Sequence, residues 1–369
     1  MTRAGATVDP REARLRLLRS ANVGPITYAH LIARFGGAEA ALDALPMLAA
    51  RGGGRAPVIA DAGAVRREIA AVERFGARYL FLGDLDYPPL LAELDSAPPA
   101  LIVRGGTGLL ARPCVAMVGA RNASAAACRF ARQLALGLAE AGVTVVSGLA
   151  RGIDTAAHIG SIQRGTVGVI ASGIDIVFPP ENADLQERVA REGLLIAEQP
   201  PGTEPLARFF PSRNRIIAGL ATGTVVVEAA PRSGSLITAR IAAEAGREVM
   251  AVPGSPLDPR AQGCNLLIRE GATLVQSVDD ILEAVRPIDP RSVRAPGSTW
   301  SGAPPEDASD SDRVRVTALL GPVPVSVDEL LRQVGLAPAI VQTVLLELEL
   351  AGRLERHAGA RVSLSERCA

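Results

Sequence analysis

Residues 145–158 read VVSGLARGIDTAAH, and this stretch decides the fold. An apolar, β-branched run from Val143 to Ser147 ends on a Ser-Gly step. A loop with Arg151 and Gly152 follows, then a helix-length segment carrying His158. An unbroken apolar strand, a small-residue loop and a helix form the repeating unit of a parallel sheet covered on both faces. The same order recurs outward. Strand-like runs lie at Val115 to Val118, Thr166 to Ile170, Leu194 to Ala197, Thr224 to Val227 and Glu248 to Val252, with helix-length segments such as Ala125 to Ala141 and Ala183 to Glu192 between the earlier ones. The expected class is α/β, with a parallel sheet over residues 81–286. The segment Gly83 to Gly106 leads into this sheet and is expected to add an edge element.

The flanks have a different texture. Residues 1–80 are rich in Ala, Leu and Arg, show no strand-like run, and hold 12 Arg against 7 acids. Within them RSANVGPITYAHLIARFGG sets a Gly-Pro turn between two helices and ends the second on Gly36-Gly37. Two readings stand, a helical DNA-binding module and a plain helical cap. Residues 287–312 are rich in Pro, Ser, Gly and Asp and read as a flexible linker, in which Trp300, the only Trp, either docks or is incidental. Residues 313–369 run helix (Val327 to Val334), turn, helix (Pro338 to Ala351) and hairpin (Arg353 to Leu364), the winged-helix order. The would-be recognition helix, PAIVQTVLLELELA, has no Arg and carries Glu347 and Glu349. Only Gln342 suits base reading there. The balance favours packing or partner contact over duplex binding, although Arg353, Arg356, His357 and Arg361 of the wing could meet phosphate.

Composition excludes several chemistries. The 39 cations, all Arg, balance 39 acids. With no Lys there is no P-loop and no Schiff base to pyridoxal phosphate, and every anion must be met by guanidinium or backbone N–H groups. Four scattered Cys and three distant His offer no metal cluster, so no metal and no cofactor are expected. No run approaches the ~20 apolar residues of a membrane helix. The start, MTRAGATVDPREAR, does not read as a signal peptide, and a reduced, cytoplasmic protein is expected. Aromatics at 3% argue against a broad base-stacking platform.

In an open parallel sheet, ligands bind where strands end and helices begin. Five such loops carry Gly, Ser or Arg in anion-binding settings. The first holds Gly119, Arg121 and Ser124; the second holds Ser147, Gly148, Arg151 and Gly152; the third holds Ser172 and Gly173. The fourth ends in Phe209-Phe210-Pro211-Ser212-Arg213-Asn214-Arg215, a phosphate clamp beside a stacking ring. The fifth holds Arg232, Ser233, Gly234 and Ser235. Together they point to a phosphate-rich ligand. Residues 113–286 hold 16 Arg and 17 acids, so placement and not net charge makes this edge basic. Asp154 is expected to cap the helix of His158, His158 to be structural, and Asp175 to cap or turn. Asp154 and Glu228 are the candidate acids, but no nucleophile–base pair stands out.

These loops, in this order, resemble the DNA-processing protein A family (the DprA/Smf type). The matching stretches are VGARNAS, VVSGLARGIDTAAH, ASGIDIVFPPEN, GLLIAEQPPGT, FFPSRNRIIAGL, VVVEAAPRSGSLITARIAAEAGREVMAVPG and CNLLIREGA, over about residues 83–285. The resemblance implies an extended Rossmann-like core flanked by a SAM-like N-terminal domain and a winged-helix domain. It implies a homodimer that binds single-stranded DNA without ATP and loads a RecA-type recombinase onto it during natural transformation. Gly119, Arg121, Ser147, Gly148, Arg151, Phe209, Arg213, Asn214, Arg215 and Gly234 would line the DNA groove. The chain departs from the pattern at Ala126-Ala127, at Pro180 and at Gln199, which puts local contacts in question. A second reading, a nucleotide phosphoribohydrolase using Glu228 as its acid, lacks that family's Gly-Gly-x-Gly-Thr loop.

Overall fold

The computed structural model describes residues 9–55, 57–286, 307–357 and 359–365. They form two compact units, one within residues 67–294 and one built from the described parts of 1–66 and 295–369. Three helices open the chain: α1 (Pro10–Arg19), α2 (Pro25–Phe35) and α3 (Ala38–Arg51). The Asp9 carboxylate caps α1 by accepting the Arg11 N–H, and α2 stops where Gly36 takes φ 75°.

Helix α4 (Ala62–Arg74) leads into the sheet unit, whose elements in order are β1 (Arg78–Phe81), α5 (Pro89–Ala92), β2 (Ala100–Gly105), β3 (Cys114–Gly119), α6 (Ala125–Glu140), β4 (Thr144–Ser147), α7 (Ile153–Ser161), β5 (Thr166–Gly173), α8 (Ala183–Glu192), β6 (Leu194–Gln199), α9 (Phe209–Leu220), β7 (Gly223–Val227), α10 (Gly234–Glu244), β8 (Glu248–Ala251), α11 (Gln262–Arg269), β9 (Thr273–Leu274) and α12 (Val278–Ala284). The nine strands lie in the order β1-β2-β6-β5-β4-β3-β7-β8-β9. From β6 to β9 all pairs are parallel, whereas β1–β2 and β2–β6 are antiparallel. The edge element expected after Gly83 is therefore the antiparallel strand β2. Strand β1, from Arg78, is a correction: it starts inside the stretch read as purely helical. Its short RYLF run escapes notice because only pairing with β2 stabilises it as a strand.

Alternating residues of each central strand feed two cores. Ala116 and Val118 of β3 face one, and Val115 and Met117 face the other. Burial on both faces explains why these strands read as unbroken apolar runs. The chain leaves β3 toward β4, β5 and β6, then returns to the other side of β3 to make β7. Loops after β3 and β7 thus diverge, the arrangement that opens a crevice at the carboxyl edge of a parallel sheet.

The other unit continues after residue 306 with α13 (Asp310–Ala318), β10 (Val325–Ser326), α14 (Val327–Val334), α15 (Pro338–Leu350), β11 (Leu354–His357) and β12 (Arg361–Leu364). Its three strands pair in the order β10-β12-β11, completing the winged helix. Ser309 and Asp312 form a capping box at the start of α13, inside the stretch read as linker; residues 287–306, with Trp300, lie outside the described residues. Among the described residues no single helix is long and apolar enough to cross a membrane.

Candidate nucleic-acid interface

The ends of β3, β4, β5 and β6 and the first turn of α9 surround a cavity of about 300 Å³. Arg121 and Asn122 come from the loop after β3, and Gly148, Ala150 and Arg151 from the loop after β4. Ser172 comes from the end of β5, Phe178 to Pro180 from the loop after it, and Phe210 and Arg213 from α9.

The Phe210 ring is the centre of this arrangement. The Arg121 guanidinium carbon lies 5.3 Å from the ring centroid, and that of Arg213 lies 5.8 Å away. Phe178 meets the same ring edge-on at 6.1 Å. Each cation is attracted by the ring's π face, which holds two like charges at one place. Arg121 has no ion-pair partner among the described residues, so the two guanidiniums set up a positive potential into which an anion fits.

Arg213 is 7% exposed and is packed into the floor. A Cβ added to Gly148 would lie 1.6 Å from one of its terminal nitrogens, so glycine is required there to let the guanidinium pass. Burial lowers the pKa of Arg213, and the Asp154 carboxylate opposes that shift. Asp154, itself fully buried, is pushed up by desolvation and held back by Arg213 and by two backbone N–H groups. Those N–H groups, of Gly148 at 3.1 Å and Ala150 at 3.3 Å, donate to the same carboxylate oxygen. Asp154 therefore anchors the β4 loop and balances Arg213. The N-cap of α7 is Gly152, at φ 72°, which corrects the expectation for Asp154. Gly152 cannot carry a side chain, because a Cβ would lie 2.3 Å from the Ala120 carbonyl oxygen.

Of the residues expected at the groove, Arg121, Gly148, Arg151, Ser172 and Arg213 line the cavity. Arg151 there pairs with Glu181, a contact that a phosphate would have to replace. Phe209 does not line it: the ring belongs to Phe210, while Phe209 stacks under Arg208 at 4.8 Å. Phe209 is the ring expected at the groove; the phase of α9 turns Phe210 toward the cavity instead. Phe178, Asn122 and Pro205 were not singled out, although an aromatic before Pro179-Pro180 was visible in the sequence. The Pro180 departure thus falls in the cavity wall, and Ala126-Ala127 falls outside it, in the first turn of α6.

The remaining expected residues have other partners. Ser147 is buried and donates to the Met117 carbonyl at 2.7 Å. Ser124 caps α6. A Cβ on Gly119 would meet the Val227 carbonyl oxygen at 2.0 Å, and one on Gly173 would meet Asp175 at 2.6 Å, so both serve close packing. Arg215 pairs with Glu198. Asn214 reaches the Gly234 carbonyl at 3.4 Å, and Ser233 caps α10 beside Ser235. The fifth loop, with Ser233, Gly234 and Ser235, therefore stands outside the cavity wall. Asp175 accepts the Gly202 N–H and fixes a turn, as expected. Glu228 accepts the Ser124 N–H at 2.6 Å and lies 3.7 Å from Arg260, so the candidate acid is spent in tying the β7 and β3 loops together.

His158 is structural, as expected. It is fully buried, its Nδ1 lies 2.7 Å from the Thr166 hydroxyl, and its Nε2 has no partner. Desolvation pushes its pKa down to about 3. The folded pKa lies below the unfolded one, so the stability this neutral ring contributes is whole above about pH 6.5 and is lost as the pH falls toward 3. Lowering the pH from 7.5 to 5 should cost about 2 kcal/mol at this site. Urea midpoints of the parent and a His158→Gln variant check this: the parent should lose more stability between the two pH values.

Comparison with known proteins places the chain in a family. The family described as DNA recombination-mediator protein A matches residues 78–286, which hold the whole sheet. The chain belongs to that family. Its flanks match the DprA-like N-terminal HHH domain over residues 9–71 and the DprA winged helix domain over residues 301–360. The chain is 47% identical to DNA processing protein DprA of Streptococcus pneumoniae over 198 residues, 53% of this chain and 70% of the relative. It is 34% identical to Protein Smf of Synechocystis over 318 residues, 77% of this chain and 79% of the relative. The X-ray structure of the S. pneumoniae DprA aligns at TM-score 0.58 and 41% identity, covering 62% of this chain and 80% of that one. DNA processing protein A of Helicobacter pylori, whose structure concerns its single-stranded DNA binding mode, aligns at TM-score 0.51 and 27% identity, covering 56% and 94%. As a member of this family, the chain is a DNA-processing protein, and the cavity lies within the residues that the family matches. Nothing in these relatives supports the phosphoribohydrolase reading.

Proposed function

We propose that this chain binds single-stranded DNA along the carboxyl edge of its sheet and passes it to a RecA-type recombinase. The observation that carries the proposal is the Phe210 ring flanked by Arg121 and Arg213 in an open cavity. An aromatic ring offers an apolar contact to any base, and paired guanidiniums offer forks to the phosphates on either side, so recognition tracks the backbone without reading sequence. No nucleotide hydrolysis is needed for such a role, and a chain without Lys supplies no P-loop. The finer reading is that the protein acts as a homodimer in the cytoplasm, without cofactor, on DNA taken up in natural transformation.

The test is binding of oligo-dT at several salt concentrations. Arg121→Ala should weaken binding about tenfold and reduce the slope of log affinity against log salt by about 0.7, the value of one phosphate contact on a single strand. An unchanged affinity and slope would remove Arg121 from the interface. Recombinase loading is tested separately, by joint-molecule formation on oligonucleotide-coated substrate with and without this protein.

A further inference from the structure

Helix α15 occupies the place of the recognition helix in a winged helix, yet none of its residues from Val341 to Leu350 is exposed. One side packs into the C-terminal core through Val341, Val344, Leu345 and Leu348. The other side enters the core of the N-terminal helices, where Leu346 and Leu350 join Leu17, Leu31, Leu45 and Leu48. From Val341 on, this helix is covered on every side and leaves no face for a major groove; the exposed residue at its start, Pro338, has no side-chain donor or acceptor for a base edge. Its two acids are also used internally. Glu347, 1% exposed, takes both forks of Arg313 at 2.8 and 2.9 Å, and Glu349 takes Arg356 at 2.9 Å.

The N-terminal helices are shaped for this contact at the backbone level. Where α3 ends, the run Gly52-Gly53-Gly54 receives the last turn of α15. A Cβ on Gly52 would lie 2.1 Å from the Glu347 carbonyl oxygen, and one on Gly54 would lie 2.5 Å from that of Ala351. Gly52 has φ −71° and ψ −1°, which any residue adopts, so close approach and not conformation requires glycine there. Asn22 donates to the Leu350 carbonyl at 3.2 Å, satisfying one of the orphan acceptors at the helix end. Arg353 returns the contact by donating to the Gly52 carbonyl at 3.0 Å.

We propose that the winged helix of this chain is an intramolecular clasp: its would-be recognition helix docks in the Gly52–Gly54 notch of the N-terminal helices, and the module does not read duplex DNA. The N-terminal helices and the winged helix then close on each other, and DNA work is left to the sheet.

The experiment uses the full chain with a specific protease sequence inserted after Gly297. After cutting, the C-terminal fragment should co-elute with the remainder on gel filtration. Gly52→Val should release it, and so should Leu350→Asp, which breaks the same contact from the other side. Oligo-dT binding should stay within about twofold in both variants, since the sheet keeps its fold. The released fragment should leave a short duplex unshifted in a gel. A fragment that leaves the unsubstituted chain, one that stays bound in both variants, or one that shifts the duplex would overturn the proposal.

Discussion

Gly148→Ala should reduce oligo-dT affinity by about 10- to 100-fold while leaving the protein folded. The new methyl group would stand 1.6 Å from one Arg213 nitrogen and 2.4 Å from the guanidinium carbon, so the guanidinium must leave its place in the floor. Leaving takes it off the Phe210 face and out of line with Arg121. The loss corresponds to the ~1.5–3 kcal/mol of a hydrogen bond to a charged group. The control is a double-mutant cycle: in an Arg213→Ala chain the same Gly148→Ala change should cost little more. Additive losses would mean that Gly148 acts on DNA by some route other than Arg213. Titration of fluorescent oligo-dT measures all four proteins.

Asp154→Ala should destabilise the protein by about 1–3 kcal/mol, the cost of leaving buried loop N–H groups without their acceptor, with the lost negative charge near Arg213 adding to it. The carboxylate is fully buried, opposes the desolvation of Arg213, and accepts the N–H groups of Gly148 and Ala150. Its removal leaves two loop amides without their acceptor and takes a compensating negative charge from the surroundings of Arg213. Asp154→Asn keeps an acceptor oxygen but removes the charge, so it should fall between parent and Asp154→Ala in a urea titration. A second substitution, Arg213→Met, should recover part of the stability of Asp154→Ala, because it removes the stranded charge. No recovery would show that the loop amides, and not the charge, account for the loss.

Most of the sheet was legible because both faces of its central strands are buried. Val115 to Val118 and Thr224 to Val227 carry no polar break, and no other packing suits such runs. Strand β1 was not legible: Arg78 to Phe81 is a short run at the sheet margin, defined by hydrogen bonds to β2 that lies about twenty residues on. At the site, the arginines were legible as a class, but their separate roles were not. Arg121 and Arg213 share one ring, Arg151 pairs with Glu181, and Arg215 pairs with Glu198. These four read alike in one dimension, because which acid or ring each one meets depends on chain far away in sequence.

The glycines show the same division. Gly148, Gly52 and Gly54 mark close approaches whose partners are Arg213, Glu347 and Ala351, and for the last two the partner comes some three hundred residues later. The sequence by itself determined the parallel sheet, the edge at which small residues and arginines gather, and the winged-helix order, since period, apolar runs and turn residues are local properties. Only the tertiary structure decided that Phe210 and not Phe209 faces the cavity, that Glu228 holds two loops together, and that the winged helix spends its recognition helix on the N-terminal helices. Each of those rests on which groups share a buried space, and burial is a property of the assembled chain.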